Sequence, residues 1–253
     1  MIKILYGKTP KEVSILAADV MTEVLKSKKD AVLGLATGSS PVPMYQELIR
    51  RCAAGEISFE NVKTVNLDEY VGLSPEHDQS YAYFMSDNLF NHVNIDKANT
   101  NLPNGLATDP AAECARYDGV VASMGGVDIQ LLGIGNNGHI AFNEPSDHFS
   151  KGTVLVELTD STIDANSRFF ASRDDVPTKA LSMGIAQIME AKKILMIATG
   201  KAKAECLYNA FFGDITPAVP ASALQLFKGE VVVCADEEAL AVILEKCPEA
   251  VTK

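Results

Sequence analysis

Two acidic residues follow an apolar run in the first third of the chain, and carboxylates can transfer protons. Asp68 and Glu69 come directly after VKTVNL at 62–67. A carboxylate at the carboxyl end of a strand is well placed to act as a general base, and partial burial would raise its pKa toward that use. A turn aspartate or a helix cap is the alternative interpretation of the same pair.

A histidine lies in a glycine-rich turn after another apolar run. The segment LLGIGNNGHIAFNEP at 131–145 contains His139 and Glu144, separated by a short apolar stretch. A carboxylate bonded to imidazole fixes the tautomer of the ring and raises its basicity. A single histidine is usually structural, but this one lies among asparagines in a loop beyond a strand, which favours a functional role. No histidines pair at ligand spacing, so the sequence predicts no metal site.

A turn of small residues follows a third apolar run and is suited to an anion. The sequence LATGSSP at 35–41 carries Thr37, Gly38, Ser39 and Ser40. Backbone N–H groups at a helix N-terminus attract negative charge, and the hydroxyl groups add donors. The turn lacks the end of a Walker A loop and the spacing of a dinucleotide fingerprint. An ordinary strand-to-helix turn remains the alternative.

Two cations further along the chain could serve the same anion. Lys203 is predicted at the start of a helix, where a cation is unfavourable for the helix dipole unless an anion lies nearby. The guanidinium group of Arg168 offers a planar set of donors that suits phosphate. A solvated surface cation is the simpler interpretation of each residue taken alone.

Apolar runs alternate with helical patterns along the whole chain and must position these motifs. The runs predict strands at 2–5, 31–36, 62–67, 127–134, 192–199 and 230–235. Helical patterns lie at about 10–28, from Pro41, at 109–123 and at 201–212. Strands that are apolar on both faces, with helices between them, predict an α/β fold: a mostly parallel, Rossmann-like sheet with helices on both faces. Ligands bind beyond the carboxyl ends of such strands, where the polar motifs fall.

Residues 144–175 depart from this regularity because a long polar stretch precedes ANSRFF. A lid and a plain surface excursion are equally good interpretations, since long insertions in compact domains are often functional. We see no internal repeat, low-complexity tract or long linker in the sequence. We therefore expect a single domain over 1–253.

Composition excludes several classes of function. A formal net charge of −11 disfavours nucleic acid and anionic membranes as partners, whereas one small phosphate needs only a few local donors. The chain has no run of eighteen apolar residues, and its N-terminus turns polar too soon for a secretory signal. Five scattered cysteines without a CxxC pair predict a reduced, cytoplasmic protein.

Together these segments resemble the glucosamine-6-phosphate deaminase family. The resemblance runs through most of the chain and is carried, in order and spacing, by LATGSSP, VNLDEYVGL, HDQSYAYF, GIGNNGHIAFNEP, ANSRFF and GKAKA. The combination of LDEY with GHIAFNEP is its most specific part. The resemblance implies conversion of the sugar phosphate glucosamine 6-phosphate to fructose 6-phosphate and ammonia in amino-sugar catabolism, without any cofactor.

The resemblance also implies roles for individual residues. Asp68 would move the proton between C2 and C1, and His139 would open the pyranose ring with Glu144 orienting it. The phosphate would be held by Thr37, Gly38, Ser39, Ser40, Arg168 and Lys203. Residues 144–175 would correspond to the lid of the family.

The sequence departs from the family pattern at two places. Asn137 stands where many relatives carry the acidic partner of the ring-opening histidine. It can form a hydrogen bond but carries no charge, so Glu144 would take a larger share of that task. Val154 and Val156 stand where allosteric relatives carry cations. We therefore predict no activation by N-acetylglucosamine 6-phosphate, and a monomer or small homo-oligomer.

Two other functions are weaker matches. A 6-phosphogluconolactonase would share the fold and a related glycine–histidine loop, but we expect it to lack the LDEY and FNEP pairing. A sugar-phosphate-sensing regulator would need a DNA-binding module, and the sequence contains no helix-turn-helix segment.

Overall fold

The structure is a computed structural model that describes residues 1–252, except for the side chain of Ala165. Its strands are β1 (Ile2–Gly7), β2 (Val32–Leu35), β3 (Lys63–Asn66), β4 (Asp68–Tyr70), β5 (Thr100–Asn101), β6 (Ile129–Leu132), β7 (Val154–Glu157), β8 (Lys179–Ser182), β9 (Lys193–Ala198), β10 (Glu230–Asp236) and β11 (Val251–Thr252). Its α-helices are α1 (Pro10–Ser27), α2 (Val42–Ala53), α3 (Tyr81–Met85), α4 (Pro110–Ser123), α5 (Asp160–Asn166), α6 (Ile185–Ile188), α7 (Ala204–Phe212) and α8 (Ala241–Lys246).

Eight of the strands form one sheet in the order β11-β1-β10-β9-β6-β2-β3-β5. Every neighbouring pair in this sheet is parallel. The strands β2 and β6 are buried at every position, and β9 and β10 at all but the first. Successive side chains of a strand point to opposite faces, so both faces of the sheet are covered. The predicted α/β fold with a mostly parallel sheet is confirmed.

A second sheet has three short antiparallel strands in the order β4-β8-β7. Only Leu67 separates β3 from β4. Its N–H group donates to the carbonyl of Leu35 in the large sheet, and its carbonyl accepts from Met183 N, next to β8, at 2.7 Å. The chain therefore passes from one sheet to the other at the residue before Asp68. This small sheet was not predicted from the sequence.

The predicted helices are present, and their first residues explain where they begin. The Thr9 hydroxyl accepts a hydrogen bond from Glu12 N at the start of α1, and the Asp109 carboxylate caps α4 in the same way. A 3-10 turn at Lys201–Lys203 precedes α7, so the helix predicted at 201–212 takes its α form at Ala204. No helix within 1–252 is both long enough and apolar enough to span a membrane.

Buried apolar side chains form two clusters. The larger one covers the eight-stranded sheet. The smaller one, called the lid cluster below, consists of Tyr70, Phe142, Leu158, Ile163, Val176 and Ala180. Leu158 and Ile163 come from segment 144–175. This segment therefore packs near Tyr70, two residues after Asp68, and Phe142, two residues before Glu144. The single-domain prediction for 1–253 includes Lys253, which lies outside the described residues.

Candidate active site

The strand order places two of the predicted motifs beside each other. β2 and β6 are neighbours in the sheet, yet the chain continues from β2 to β3 on one side and from β6 toward β9 on the other. The connections that leave such a pair diverge, and a crevice opens beyond the carboxyl ends of the two strands. The turn at 36–41 follows β2, and the glycine-rich loop at 133–144 follows β6. Both motifs therefore border this crevice.

The two adjacent acids, Asp68 and Glu69, have different environments. Glu69 accepts backbone hydrogen bonds from Tyr70, Tyr81 and Ala82 at 2.8, 2.9 and 2.9 Å. It thereby holds the first turn of α3, whose N-cap residue is Ser80. The carboxylate of Asp68 forms no hydrogen bond with any described residue, although only 7% of Asp68 is exposed. Glu69 is therefore structural, and Asp68 is the carboxylate available for chemistry.

Burial sets the acidity of Asp68. Loss of solvent, followed by the nearby charge of Glu69, raises the pKa of Asp68 from 3.8 to about 8. Burial also raises the pKa of Glu69, although its three backbone hydrogen bonds oppose the rise. A carboxylate with a pKa near neutrality is a much stronger base than an exposed one and can both take and return a proton.

Strand β8 joins the environment of Asp68 to the histidine loop. Asp68 is the register partner of Ser182, whose hydroxyl accepts a hydrogen bond from Phe142 N at 3.1 Å. The next residue, Met183, accepts a hydrogen bond from the Asn143 side chain at 2.8 Å. Two consecutive residues thus fix the loop that carries the histidine against the strand that carries Asp68. The structure therefore brings the acidic pair and the histidine loop together.

The conformation of the histidine loop depends on its glycines. A Cβ atom on Gly135 would lie 2.3–2.4 Å from three atoms of the His139 ring. Gly138 has a φ of +84°, and its own Cβ would lie 2.7 Å from a methyl group of Val219. Ala141, between the histidine and the acid, is the one non-glycine among residues 1–252 with a positive φ, at 51°. A positive φ at a non-glycine residue strains the backbone and persists only where the surrounding structure holds it. Such strain is concentrated at functional sites.

His139 and Glu144 face each other within this loop. Nδ1 of His139 lies 3.3 Å from Oε2 of Glu144. The alignment falls short of a hydrogen bond, and this buried nitrogen has no other such partner among the described residues. Asn137 donates from its amide to Glu144 Oε2 at 2.6 Å, and its oxygen accepts from His139 N at 3.2 Å. The asparagine therefore bonds to both members of the pair.

Glu144 is held in its ionised form. Partial burial alone would raise its pKa, but the neighbouring His139 and hydrogen bonds from Thr162 and Asn137 outweigh burial and lower the pKa to about 2. A permanently charged carboxylate beside an imidazole stabilises the imidazolium ion. The negative charge of Glu144 therefore lies beside the imidazole ring of His139.

The predicted phosphate turn lies at the start of a helix without a side-chain cap. Pro41 occupies the N-cap position of α2 and offers no hydrogen-bonding side chain. Gly38 has a φ of +96°, which glycine adopts readily. Gly38 and Ser39 line a cavity of about 260 Å³. Its other walls include Tyr70, Tyr81, Asn166 and Phe170. Free helix N–H groups at such a cavity can bind an anion.

The two predicted cations do not reach this turn in the structure. Arg168 is exposed, and its guanidinium carbon lies 4.6 Å from the centre of the Phe169 ring. Lys203 is half-buried, and burial lowers its pKa. Neither side chain forms an ion pair within residues 1–252, and neither lines the cavity beside Gly38. Arg168 is nonetheless one residue from Phe169, which does line it.

A larger and more open cleft of about 660 Å³ lies beyond the carboxyl ends of β1, β9 and β10. Its walls include Lys8, Gly200, Lys201, Asp236 and Glu238. None of the predicted site residues lines it. The cleft is therefore separate from the groups arranged for proton transfer, and its size alone does not make it the candidate site.

Sequence reasoning missed several residues that build the site. Ser182 and Met183 carry no chemical signature, and only strand pairing brings them to the loop. Tyr70, Tyr81 and Phe142 form a group of aromatic rings with centroids 4.8–6.1 Å apart, close to the cavity. No role at the site was predicted from the sequence for any of these three residues.

The comparisons with known proteins agree with this geometry. Residues 10–233 match the family described as glucosamine-6-phosphate isomerases/6-phosphogluconolactonase. A glucosamine-6-phosphate deaminase of Clostridium perfringens is 53% identical over 94% of this chain and 98% of its own length. Another, from Clostridium beijerinckii, is 54% identical over 93% of this chain and 97% of its own length.

Solved structures give the same result. The structure of a monomeric glucosamine-6-phosphate deaminase superposes with a TM-score of 0.92 at 46% identity, covering 95% of this chain and 99% of that one. A 6-phosphogluconolactonase from Leishmania guyanensis has a TM-score of 0.74 at 19% identity, covering 94% of this chain and 97% of its own. The second likeness concerns the fold alone.

Proposed function

The chain belongs to the glucosamine-6-phosphate isomerase/6-phosphogluconolactonase family, and from this premise we propose that it converts glucosamine 6-phosphate to fructose 6-phosphate and ammonia. Two findings support the deaminase within this family. Relatives with that name are 48–54% identical over most of the chain, whereas the lactonase likeness lies at 17–20%. The single observation that carries the chemistry is the buried carboxylate of Asp68, unbonded and with a raised pKa beside the histidine loop.

Ring opening is the first step of the proposed reaction. His139 takes the proton of the C1 hydroxyl group and delivers a proton to the ring oxygen, so that the ring bond breaks and an aldehyde forms at C1. Glu144, which stays ionised, stabilises the imidazolium ion while it exists. Asn137 orients both groups by hydrogen bonds and carries no charge of its own.

Proton transfer between carbons follows. Asp68 removes the proton from C2 while the carbonyl oxygen at C1 gains a proton from the ammonium group at C2, which gives an enolamine, and Asp68 then returns its proton to C1. The resulting ketimine reacts with water, so that the C2–N bond breaks and the ketone and ammonia are released. Each proton transfer by a positioned group contributes on the order of 10² to 10⁴ in rate. These reaction steps need only acids and bases, so we propose a reaction without a cofactor.

Phosphate binding would hold the reacting carbons near Asp68. We place the phosphate at the turn formed by Thr37, Gly38, Ser39 and Ser40, where α2 begins without a side-chain cap. Arg168 and Lys203 would complete its binding once segment 144–175 closes over the substrate as a lid. The half-buried Lys203, with no acidic partner among the described residues, supports an anion there. Binding energy from the phosphate then lowers the barrier at C1 and C2.

The setting of the enzyme follows from its substrate. We propose that the chain acts as one domain in the cytoplasm, within amino-sugar catabolism, because a charged sugar phosphate does not cross a bilayer unaided.

Val154 and Val156 offer no cation to a second phosphate, so we propose that N-acetylglucosamine 6-phosphate does not activate the protein. The monomeric relative supports a monomer or small homo-oligomer. Hyperbolic kinetics unchanged by that compound would agree, and a sigmoidal curve that it removes would contradict the proposal.

A substrate comparison tests the proposed activity. Purified protein would be given glucosamine 6-phosphate, N-acetylglucosamine 6-phosphate and 6-phosphogluconolactone in separate reactions. We expect ammonia only from the first, together with fructose 6-phosphate. Hydrolysis of the lactone without ammonia from the amino sugar would assign the chain to the other activity of the family.

A further inference from the structure

A hydroxyl group from segment 144–175 reaches the carboxylate beside the histidine. Thr162, on α5, donates from its Oγ1 to Oε1 of Glu144 at 2.5 Å. This is the only hydrogen bond that Oε1 receives from the described residues, since Asn137 and His139 both face Oε2. Thr162 is 8% exposed, so water does not readily take its place. The two oxygens of Glu144 are therefore held from two different parts of the chain.

Helix capping and apolar packing fix Thr162 in this position. Thr159 is the N-cap residue of α5, and its hydroxyl accepts a hydrogen bond from Thr162 N at 3.3 Å. The same hydroxyl lies 3.2 Å from Thr162 Oγ1 and donates to it, so the Thr162 hydroxyl hydrogen points to the carboxylate. On the other side, Ile163 is buried in the lid cluster together with Phe142, two residues before Glu144.

We infer that Thr162 is a positioning residue, through which α5 sets the Glu144 carboxylate against His139, so that ring opening is fast only while the Thr162 hydroxyl reaches Glu144. The inference rests on the proposed function, since ring opening is a step of that reaction. It assigns to segment 144–175 a part in the chemistry besides covering the substrate.

The orientation of the Glu144 carboxylate depends on a hydrogen-bond donor at each of its two oxygens. Without the Thr162 hydroxyl, Oε1 would be a half-buried charged oxygen lacking a donor, and the group would turn toward solvent to recover one. Turning moves Oε2 away from Nδ1 of His139, which has no hydrogen-bond partner to replace it. The other charged groups of α5, Asp160 and Asp164, pair with Arg173 and not with this site. Glu144 therefore depends on Thr162 for its orientation.

The test compares Thr162→Val, which keeps the shape and removes the hydroxyl, with Thr162→Ser, which keeps the hydroxyl. Thr178→Val is the matched control, because it makes the same change of side chain at an exposed threonine that has no contact with Glu144. Two quantities are measured for each: kcat for ammonia release from glucosamine 6-phosphate, and the Kd of 2-amino-2-deoxyglucitol 6-phosphate. That acyclic alcohol keeps the amine and the phosphate but has no ring to open.

We expect Thr162→Val to lower kcat about tenfold and to leave the Kd of the acyclic alcohol within a factor of two. Thr162→Ser should restore most of kcat, and Thr178→Val should match the wild type. If Thr162→Val does not fold, Thr162→Ala replaces it in the same comparison.

Three results would overturn the inference while leaving the deaminase in place. They are a wild-type kcat in Thr162→Val, an equal loss of kcat and of affinity for the acyclic alcohol, and a failure of Thr162→Ser to recover activity. A wild-type protein that releases no ammonia would overturn the proposed function and this inference together.

Discussion

The raised pKa of Asp68 leads to a prediction about pH and about its neighbour. With a pKa near 8, only about a tenth of the carboxylate is ionised at pH 7, whereas an exposed aspartate would be almost fully ionised. The ionised form is the base, so kcat/KM should rise with pH up to about 8. Burial is the larger cause of the raised pKa, and the charge of Glu69 is the second. Removing that charge in Glu69→Gln should move the rise to lower pH.

The size of this shift follows from the geometry of the strand. Adjacent residues of a strand point to opposite faces, so the two carboxylates point away from each other, and we take about 9 Å as the distance between their charges for this calculation. At an effective dielectric constant of about 20, two unit charges at that distance repel by about 1.8 kcal/mol, or slightly more than one pH unit. Glutamine keeps one oxygen, which can accept from the backbone N–H groups of Tyr70 and Tyr81, whereas its NH2 group would replace the oxygen that accepts from Ala82 N. One of the three hydrogen bonds is therefore lost, at a cost of about 1–3 kcal/mol, and the melting temperature of Glu69→Gln is measured first to show that the variant is folded.

Carbon-13 NMR of the side-chain carboxylates in the ligand-free protein measures the pKa directly, with Asp68→Asn to assign the signal. The pH profile of kcat/KM is the second assay. The amine and phosphate of the substrate titrate equally for both proteins, so the difference between the wild-type and Glu69→Gln profiles isolates the enzyme. A wild-type Asp68 that titrates near 4, or an acid limb unchanged in Glu69→Gln, would refute the reasoning.

Two further predictions concern the loop and the fold. Gly135→Ala should lower kcat at least tenfold with little change in the melting temperature, because the new methyl group would occupy the place of the His139 ring; unaltered kinetics would contradict this. Asp128→Asn should reduce the free energy of unfolding by about 1–2 kcal/mol, since Asp128 accepts hydrogen bonds from Lys28 and Lys192, each at 2.7 Å. Burial alone would raise the pKa of Asp128 in the folded protein, but these partners outweigh burial and lower it. The stabilisation of the fold by Asp128 is therefore complete above the pKa of an unfolded aspartate. It is lost as the pH falls through the lower pKa of the folded state. Urea unfolding at pH 7 and pH 3 should therefore show a difference between wild type and variant that shrinks at pH 3, and an equal difference at both values would exclude this origin.

Strands β5 and β11 of the eight-stranded sheet are only two residues long and were not predicted. Its six longer strands were predictable because they are mostly apolar, and that pattern is strong in a single sequence. The three-stranded sheet was not. Its strands are three or four residues long, and β4 follows β3 after one residue, so 62–70 has the pattern of a single run. Only the hydrogen bonds of Leu67 with both sheets reveal where the chain changes partners.

The candidate site was predictable to the level of motifs. Residue types identified Asp68 and Glu69 as a pair, but both follow the same strand, and only the backbone contacts of Glu69 separate their roles. The contact between Thr162 and Glu144 joins residues 18 positions apart with no shared pattern. The steric role of Gly135 likewise depends on where the His139 ring lies, which no local rule specifies.

The measurement that tests the central claim most directly is product formation by the wild-type protein and by Asp68→Asn, without added cofactor. Both proteins should have the same melting temperature within a few degrees, so that activity alone distinguishes them. We predict that the wild type releases ammonia and fructose 6-phosphate in equal amounts from glucosamine 6-phosphate, and that Asp68→Asn releases neither at a measurable rate. Equal activity in both proteins would remove Asp68 from the mechanism, and no ammonia from the wild type would contradict the deaminase assignment itself.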